Sequence, residues 1–115
     1  MIVSNINEVD GKIVNHPNAK GALMKVLVSP AEGWDGYVMR ELEVDVDGYT
    51  PKHLHPWPHI NYMLSGEGEL LLGEEVKKVK AGSFAYVPSN VLHQFRNIGK
   101  DKFKFICIVP EEGHK

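Results

Sequence analysis

The chain has 115 residues and a formal net charge of −2, with 43% apolar and 24% charged residues. That balance fits one ordinary globular domain over 1–115, and its scattered lysines mark no basic face for nucleic acid or an anionic membrane. A single cysteine, Cys107, excludes an internal disulfide and any zinc site built from several thiolates. The opening MIVSNINEVD lacks the basic and apolar regions of a secretory signal, and no long apolar run follows, so a soluble cytoplasmic protein is expected.

Taken in chain order, the apolar residues alternate. ALMKVLV (22–28) is the first run of strand character. YVMRELEVDV (37–46) sets Val38, Arg40, Leu42, Val44 and Val46 against Met39, Glu41, Glu43 and Asp45, the period of a half-buried strand. INYML, GELLLG, SFAYVP and HQFRN repeat the pattern. FKFICIV closes it, with Phe103, Phe105, Cys107 and Val109 on one face and Lys102 and Lys104 on the other. Between the runs lie DGYTP, SGEG, KAGS and VPSN, which are turn chemistry rather than helix caps. Many short strands without an amphipathic helix predict an all-β antiparallel sandwich or barrel, and closure removes the exposed edges of an open sheet.

Half of the six histidines fall in HLHPWPH, residues 53–59. In an extended segment His53 and His55 share a face. Pro56 and Pro58 cannot belong to a central ladder, so PWP must turn the chain before His59 opens the next strand. His93 opens a later strand with Phe95 on its own face, so it points inward if Phe95 is core. Neutral imidazoles that converge in this way suit a borderline transition metal.

With these residues placed, the chain resembles a small single-domain cupin, a double-stranded β-helix or jelly-roll barrel, over roughly residues 37 to 110. The first cupin motif is a glycine, five residues, His-x-His, three or four residues, Glu, six residues, Gly. DGYTPKHLHPWPHINYMLSG matches it at His53, His55 and Gly66, with Asp47 at the leading glycine position and His59 where the glutamate usually stands. The second motif, Gly, five residues, Pro-x-Gly, two residues, His, three residues, Asn, matches at Gly82, Pro88, His93 and Asn97. Asn90 replaces its central glycine; asparagine is the next best residue for a left-handed turn.

The histidine at position 59 makes the chain similar to bacterial cupins whose metal is held by four histidines. That resemblance implies His53, His55, His59 and His93 as ligands of a divalent metal, manganese or iron first, with zinc, nickel or copper as alternatives. Two positions of an octahedral ion would stay open for a substrate and O₂. It implies a metal-dependent oxygenase acting on a small organic molecule. The alternatives are a redox-silent isomerase, lyase or decarboxylase, or a protein that only binds a small ligand. It also implies a homodimer, for which Ile106 and Ile108 on the outer face are suitable.

Other residues carry weaker expectations. Arg40, alone among apolar residues on its face, has the fork to clamp a carboxylate, and Cys107 places a thiol inside the barrel; these are the candidate catalytic residues. Trp57 either borders the mouth of the site or caps the barrel. Met63, Phe84, Tyr86 and Phe95 are expected to line the barrel. Tyr62 should face away from His59, and His16 and His114 should be solvated.

Overall fold

The computed structural model describes residues 1–114. Nine strands form a nearly closed antiparallel barrel: β1 (Lys12–Ile13), β2 (Lys20–Val28), β3 (Tyr37–Tyr49), β4 (His59–Ser65), β5 (Glu67–Leu72), β6 (Glu75–Lys80), β7 (Phe84–Val87), β8 (His93–Asn97) and β9 (Phe103–Pro110). The sheet runs β6-β5-β8-β3-β9-β4-β7, and β2 joins β1 to the free side of β3. Three single 3-10 turns complete the described residues: Ile6–Glu8, Pro30–Glu32 and Glu111–Gly113. The expected jelly-roll barrel is the fold observed.

Alternation explains the core. Phe103, Phe105, Cys107 and Val109 of β9 are all buried, facing Val38, Leu42 and Val44 of β3 and Met63 of β4. Phe95 of β8 stacks on Phe105, with ring centroids 4.3 Å apart. Such interlocked aromatics give a core this small much of its buried area.

Two expectations fail here, each for a reason of register, and one strand was not foreseen. Val46 lies on the exposed part of β3, beyond Val44, where the pairing with β2 is shifted between Lys20 and Ala22. Phe84 and Tyr86 do not line the barrel. They pair with Tyr62 and Ile60, and because His59 and Asn61 point inward, their partners Val87 and Ala85 do too. The two aromatics are therefore left outside, 82% and 60% exposed. The segment EVKKVK forms β6, paired along its length with β5, although its charges concealed the strand period.

The turns are set by residues that tolerate a left-handed backbone. Asp47 and Asn90 are the two non-glycine residues with positive φ, at 65° and 62°, and they occupy the two motif positions where glycine is the usual residue. Gly66 has φ 84°, and a Cβ there would lie 2.5 Å from the Lys102 carbonyl, so no other residue fits. Asn97 ties the end of β8 down, donating through Nδ2 to the carbonyls of Val44 and Asp101 at 2.9 and 2.8 Å.

Candidate metal centre

The 50–58 segment leaves β3 and returns to β4, and hydrogen bonds to β8 hold it extended. Thr50 N donates to the Phe95 carbonyl at 2.9 Å, and Phe95 N donates back to Thr50 Oγ1 at 3.0 Å. His53 and His93 form an isolated antiparallel bridge, exchanging N–H···O bonds of 3.2 and 3.0 Å. Asn90 N reaches the His55 carbonyl at 2.7 Å, which uses the left-handed Asn90 turn to fix the second histidine. His59 enters from the first position of β4 and His93 from the first position of β8.

The four rings meet. Centroids of His53, His55 and His59 lie 4.8, 4.8 and 4.9 Å from that of His93, and His55 lies 5.0 Å from His53 and 5.4 Å from His59. One ligand nitrogen from each of His53, His55 and His93 falls within 4.8 Å of the others, a set that does not take in His59. His59 Nε2 is 3.2 Å from His93 Nε2, close to the separation of about 3 Å expected of two nitrogens at right angles on bonds of about 2.1 Å.

Hydrogen bonds fix the tautomers. His55 Nδ1 is 2.7 Å from the Trp57 carbonyl, and His93 Nδ1 is 2.8 Å from the Val91 carbonyl. A carbonyl only accepts, so each Nδ1 carries the hydrogen and each Nε2 keeps a lone pair. His59 Nδ1 is 2.7 Å from Asn61 Oδ1 and is committed in the same way. The Nε2 lone pairs of His59 and His93 therefore face each other at 3.2 Å with no hydrogen between them. That contact is repulsive unless a cation sits there, so this donor set fits a divalent metal.

Electrostatics agree. Burial drives the His53 imidazole down to about 4 and His59 to about 3, and neighbouring imidazoles and Arg40 add to the effect. Burial also lowers His93. These rings are neutral and ready as ligands near neutral pH.

Below them opens a cavity of about 210 Å³, with Arg40, Thr50, Asn61 and Cys107 among apolar residues that include Met24, Leu42, Phe95 and Phe105. Among the described residues no carboxylate lines it. Cys107 points inside, as alternation predicted. Trp57 stacks on His55 at 4.9 Å and 13° and packs against Gly113, so it braces a candidate ligand. Tyr62 lies outside, as expected. His16 is exposed, although its charge is among those that reach His53. His114 departs from expectation: it is partly buried, with Nδ1 3.3 Å from Arg40 Nη1, because the Glu111–Gly113 turn carries it to the cavity wall. Sequence reasoning also missed Asn61, whose signal was a polar residue two positions after His59 on the inward face of a strand.

The cupin domain model matches residues 40–109. An uncharacterized protein of Methanocaldococcus jannaschii is 30% identical over 102 residues, 85% of this chain and 72% of the relative. One from Streptomyces coelicolor is 31% identical over 58 residues, spanning 50% of this chain and only 55% of the relative. Among solved structures, the polyketide cyclase RemF from Streptomyces resistomycificus superposes with a TM-score of 0.90 at 29% identity, over 96% of this chain and 80% of that one. A predicted oxalate decarboxylase from Thermotoga maritima shares the fold, with a TM-score of 0.85 at 23% identity, over 95% and 98% of the two chains. On the matched motifs, the barrel and these likenesses together, the chain belongs to the cupin domain family.

Proposed function

We propose that this cupin is a metal-dependent enzyme in which His53, His55, His59 and His93 hold one divalent transition metal, and that it acts on a small organic molecule in the adjoining cavity. The observation that carries this is the 3.2 Å approach of two Nε2 lone pairs, with both Nδ1 atoms committed elsewhere. Manganese or iron is the favoured ion. Four neutral imidazoles leave its charge uncompensated, which disfavours magnesium and calcium. When bound, the metal supplies Lewis acidity and, if redox-active, electron transfer.

Within that assignment we favour oxygenase chemistry, because among the described residues the cavity lining offers no carboxylate to serve as a general base. The likeness to a polyketide cyclase supports a second reading, redox-silent rearrangement of a polarised carbonyl. Cys107, buried in the wall, is available to contact substrate in either case. We also assign the protein to the cytoplasm and to a homodimer. The dimer is supported by the outer groove of Ile60, Tyr62, Phe84, Tyr86, Ile106 and Ile108, an apolar patch of the kind that marks an interface.

Elemental analysis of tag-free wild type beside His93→Ala tests the assignment. About one manganese or iron per chain, lost in the variant, is expected for a single-ion site; no retained metal after reloading overturns it. Oxygen uptake by the loaded enzyme then supports oxygenase chemistry, whereas turnover with zinc alone supports the second reading.

A further inference from the structure

Arg40 is the cation of the cavity wall, and its surroundings do not satisfy it. It lies on β3 opposite Cys107 of β9 and Val26 of β2. Its Nε is buried without a hydrogen-bond partner. Among the described residues its Nη1 meets soft or neutral atoms, Met24 Sδ at 3.9 Å and His114 Nδ1 at 3.3 Å. His114 is kept neutral by burial and by the guanidinium itself. Among the described residues no carboxylate lies within ion-pair distance of Arg40, and none lines the cavity. A guanidinium withdrawn from water without an acidic partner is costly, and the Arg40 charge is felt at His53 and His59. The wall therefore carries uncompensated positive charge beside the histidine cluster.

We propose that Arg40 is the anion seat of this cavity. The ligand is a small oxygen-bearing carboxylate of the 2-oxo or 2-hydroxy acid class, with its carboxylate across Nη1 and Nη2 of Arg40 and an oxygen toward the histidine-held ion. His114 holds the place at Nη1 that the carboxylate takes, and the Glu111–Gly113 turn brings it there. This rests on the metal assignment above and adds to it the charge and size of the ligand. An Arg–carboxylate contact through two parallel N–H bonds is both strong and orienting. An apolar lining interrupted by a few convergent polar groups is the usual form of a selective pocket.

The test uses full-length protein loaded with manganese, its metal content measured for every variant. Pyruvate is the probe and pyruvamide its neutral counterpart, with binding followed by titration calorimetry and by the manganese electron paramagnetic resonance line shape. Wild type is expected to bind pyruvate in preference to pyruvamide. Arg40→Met should retain the metal and weaken pyruvate about tenfold or more, the loss of a charge-assisted bond, while leaving pyruvamide unchanged. Arg40→Lys, which keeps the charge and protects against misfolding of the methionine variant, should fall between the two because it lacks the fork. His114→Ala should bind pyruvate at least as tightly as wild type. Undiminished pyruvate binding in metal-loaded Arg40→Met and Arg40→Lys overturns the seat alone, as does a wild type that retains manganese but shows no preference for the anion. A wild type that holds no manganese overturns the metal assignment, and the seat with it.

Discussion

Asn61 settles the tautomer of His59 by facing two ways. Its Nδ2 donates to the Ile106 carbonyl at 3.3 Å, so its Oδ1, 2.7 Å from His59 Nδ1, must be the acceptor there. The imidazole is left with its Nε2 lone pair aimed at His93. Removing that acceptor should loosen the ring without removing a ligand. Asn61→Leu is expected to fold and to bind metal about 10- to 100-fold more weakly, the usual consequence of losing such a partner, whereas Asn61→Asp keeps an acceptor and should lose less. Competition against a metal-sensitive chelator dye measures both.

Glu41 gives the barrel an unusual pH response. It is 1% exposed on the outer face of β3, with one carboxyl oxygen unpartnered. Lys25 and Lys102 serve its neighbour Glu43 instead, at 3.4 and 3.8 Å. Burial and Glu43 raise the Glu41 carboxyl from 4.5 to about 7. The folded state therefore holds a proton that the unfolded chain has released, and the resulting stability is present below pH 4.5 and lost as pH rises through 7. Glu41→Gln, neutral throughout, should gain on wild type across that window by up to about 3 kcal/mol. Urea melts at pH 5 and pH 8 measure the difference; equal gaps at the two pH values would contradict it.

The outer face of β4, β7 and β9 carries the prediction for assembly. Tyr62 and Phe84 are register partners, both exposed, and they border the apolar groove. Charges at both positions, as in Tyr62→Lys with Phe84→Lys, should leave folding intact and halve the mass seen by sedimentation equilibrium, since like charges facing across a desolvated interface are strongly unfavourable. A wild type already monomeric at high concentration refutes the dimer.

Asn90 tests the turn that anchors His55. With φ at 62°, Asn90→Gly should stay close to wild type in stability, while Asn90→Val should cost about 1–2 kcal/mol for its β-branched side chain in the left-handed region. Because the Asn90 N–H holds the His55 carbonyl, the valine variant should also bind metal less tightly. Thermal melts and the chelator competition report the two effects separately.

The same residue shows what was legible in the sequence. Asp47 and Asn90 stand where motif glycines are expected, and both adopt the left-handed backbone that such positions require; motif spacing carried that information, as it did the histidine positions. The inward set of β9 was legible because alternation there runs unbroken over a long strand. Phe84 and Tyr86 were misplaced because hydrophobicity names a face only when the other face is polar, and β7 has no polar residue to break the tie. Their direction was decided by pairing with β4, a long-range register that the local pattern does not contain. The same limit applies to Arg40 and His114. Their residue types were plain, but their contact joins positions 40 and 114, brought together only by the Glu111–Gly113 turn.

β6 stands at one end of the sheet with β5 as its hydrogen-bonded neighbour, and EVKKVK carries three lysines and a glutamate beside two valines. A bare strand edge invites another strand to add, and charged side chains along it are a common deterrent. Of two surfaces of this chain, the β6 edge is thus guarded and the apolar face of β4, β7 and β9 is open. Contact through an edge can be repeated from molecule to molecule into a fibre, whereas contact through a single face is used up once two copies have met. The lysines of β6 therefore work against open-ended association through that edge.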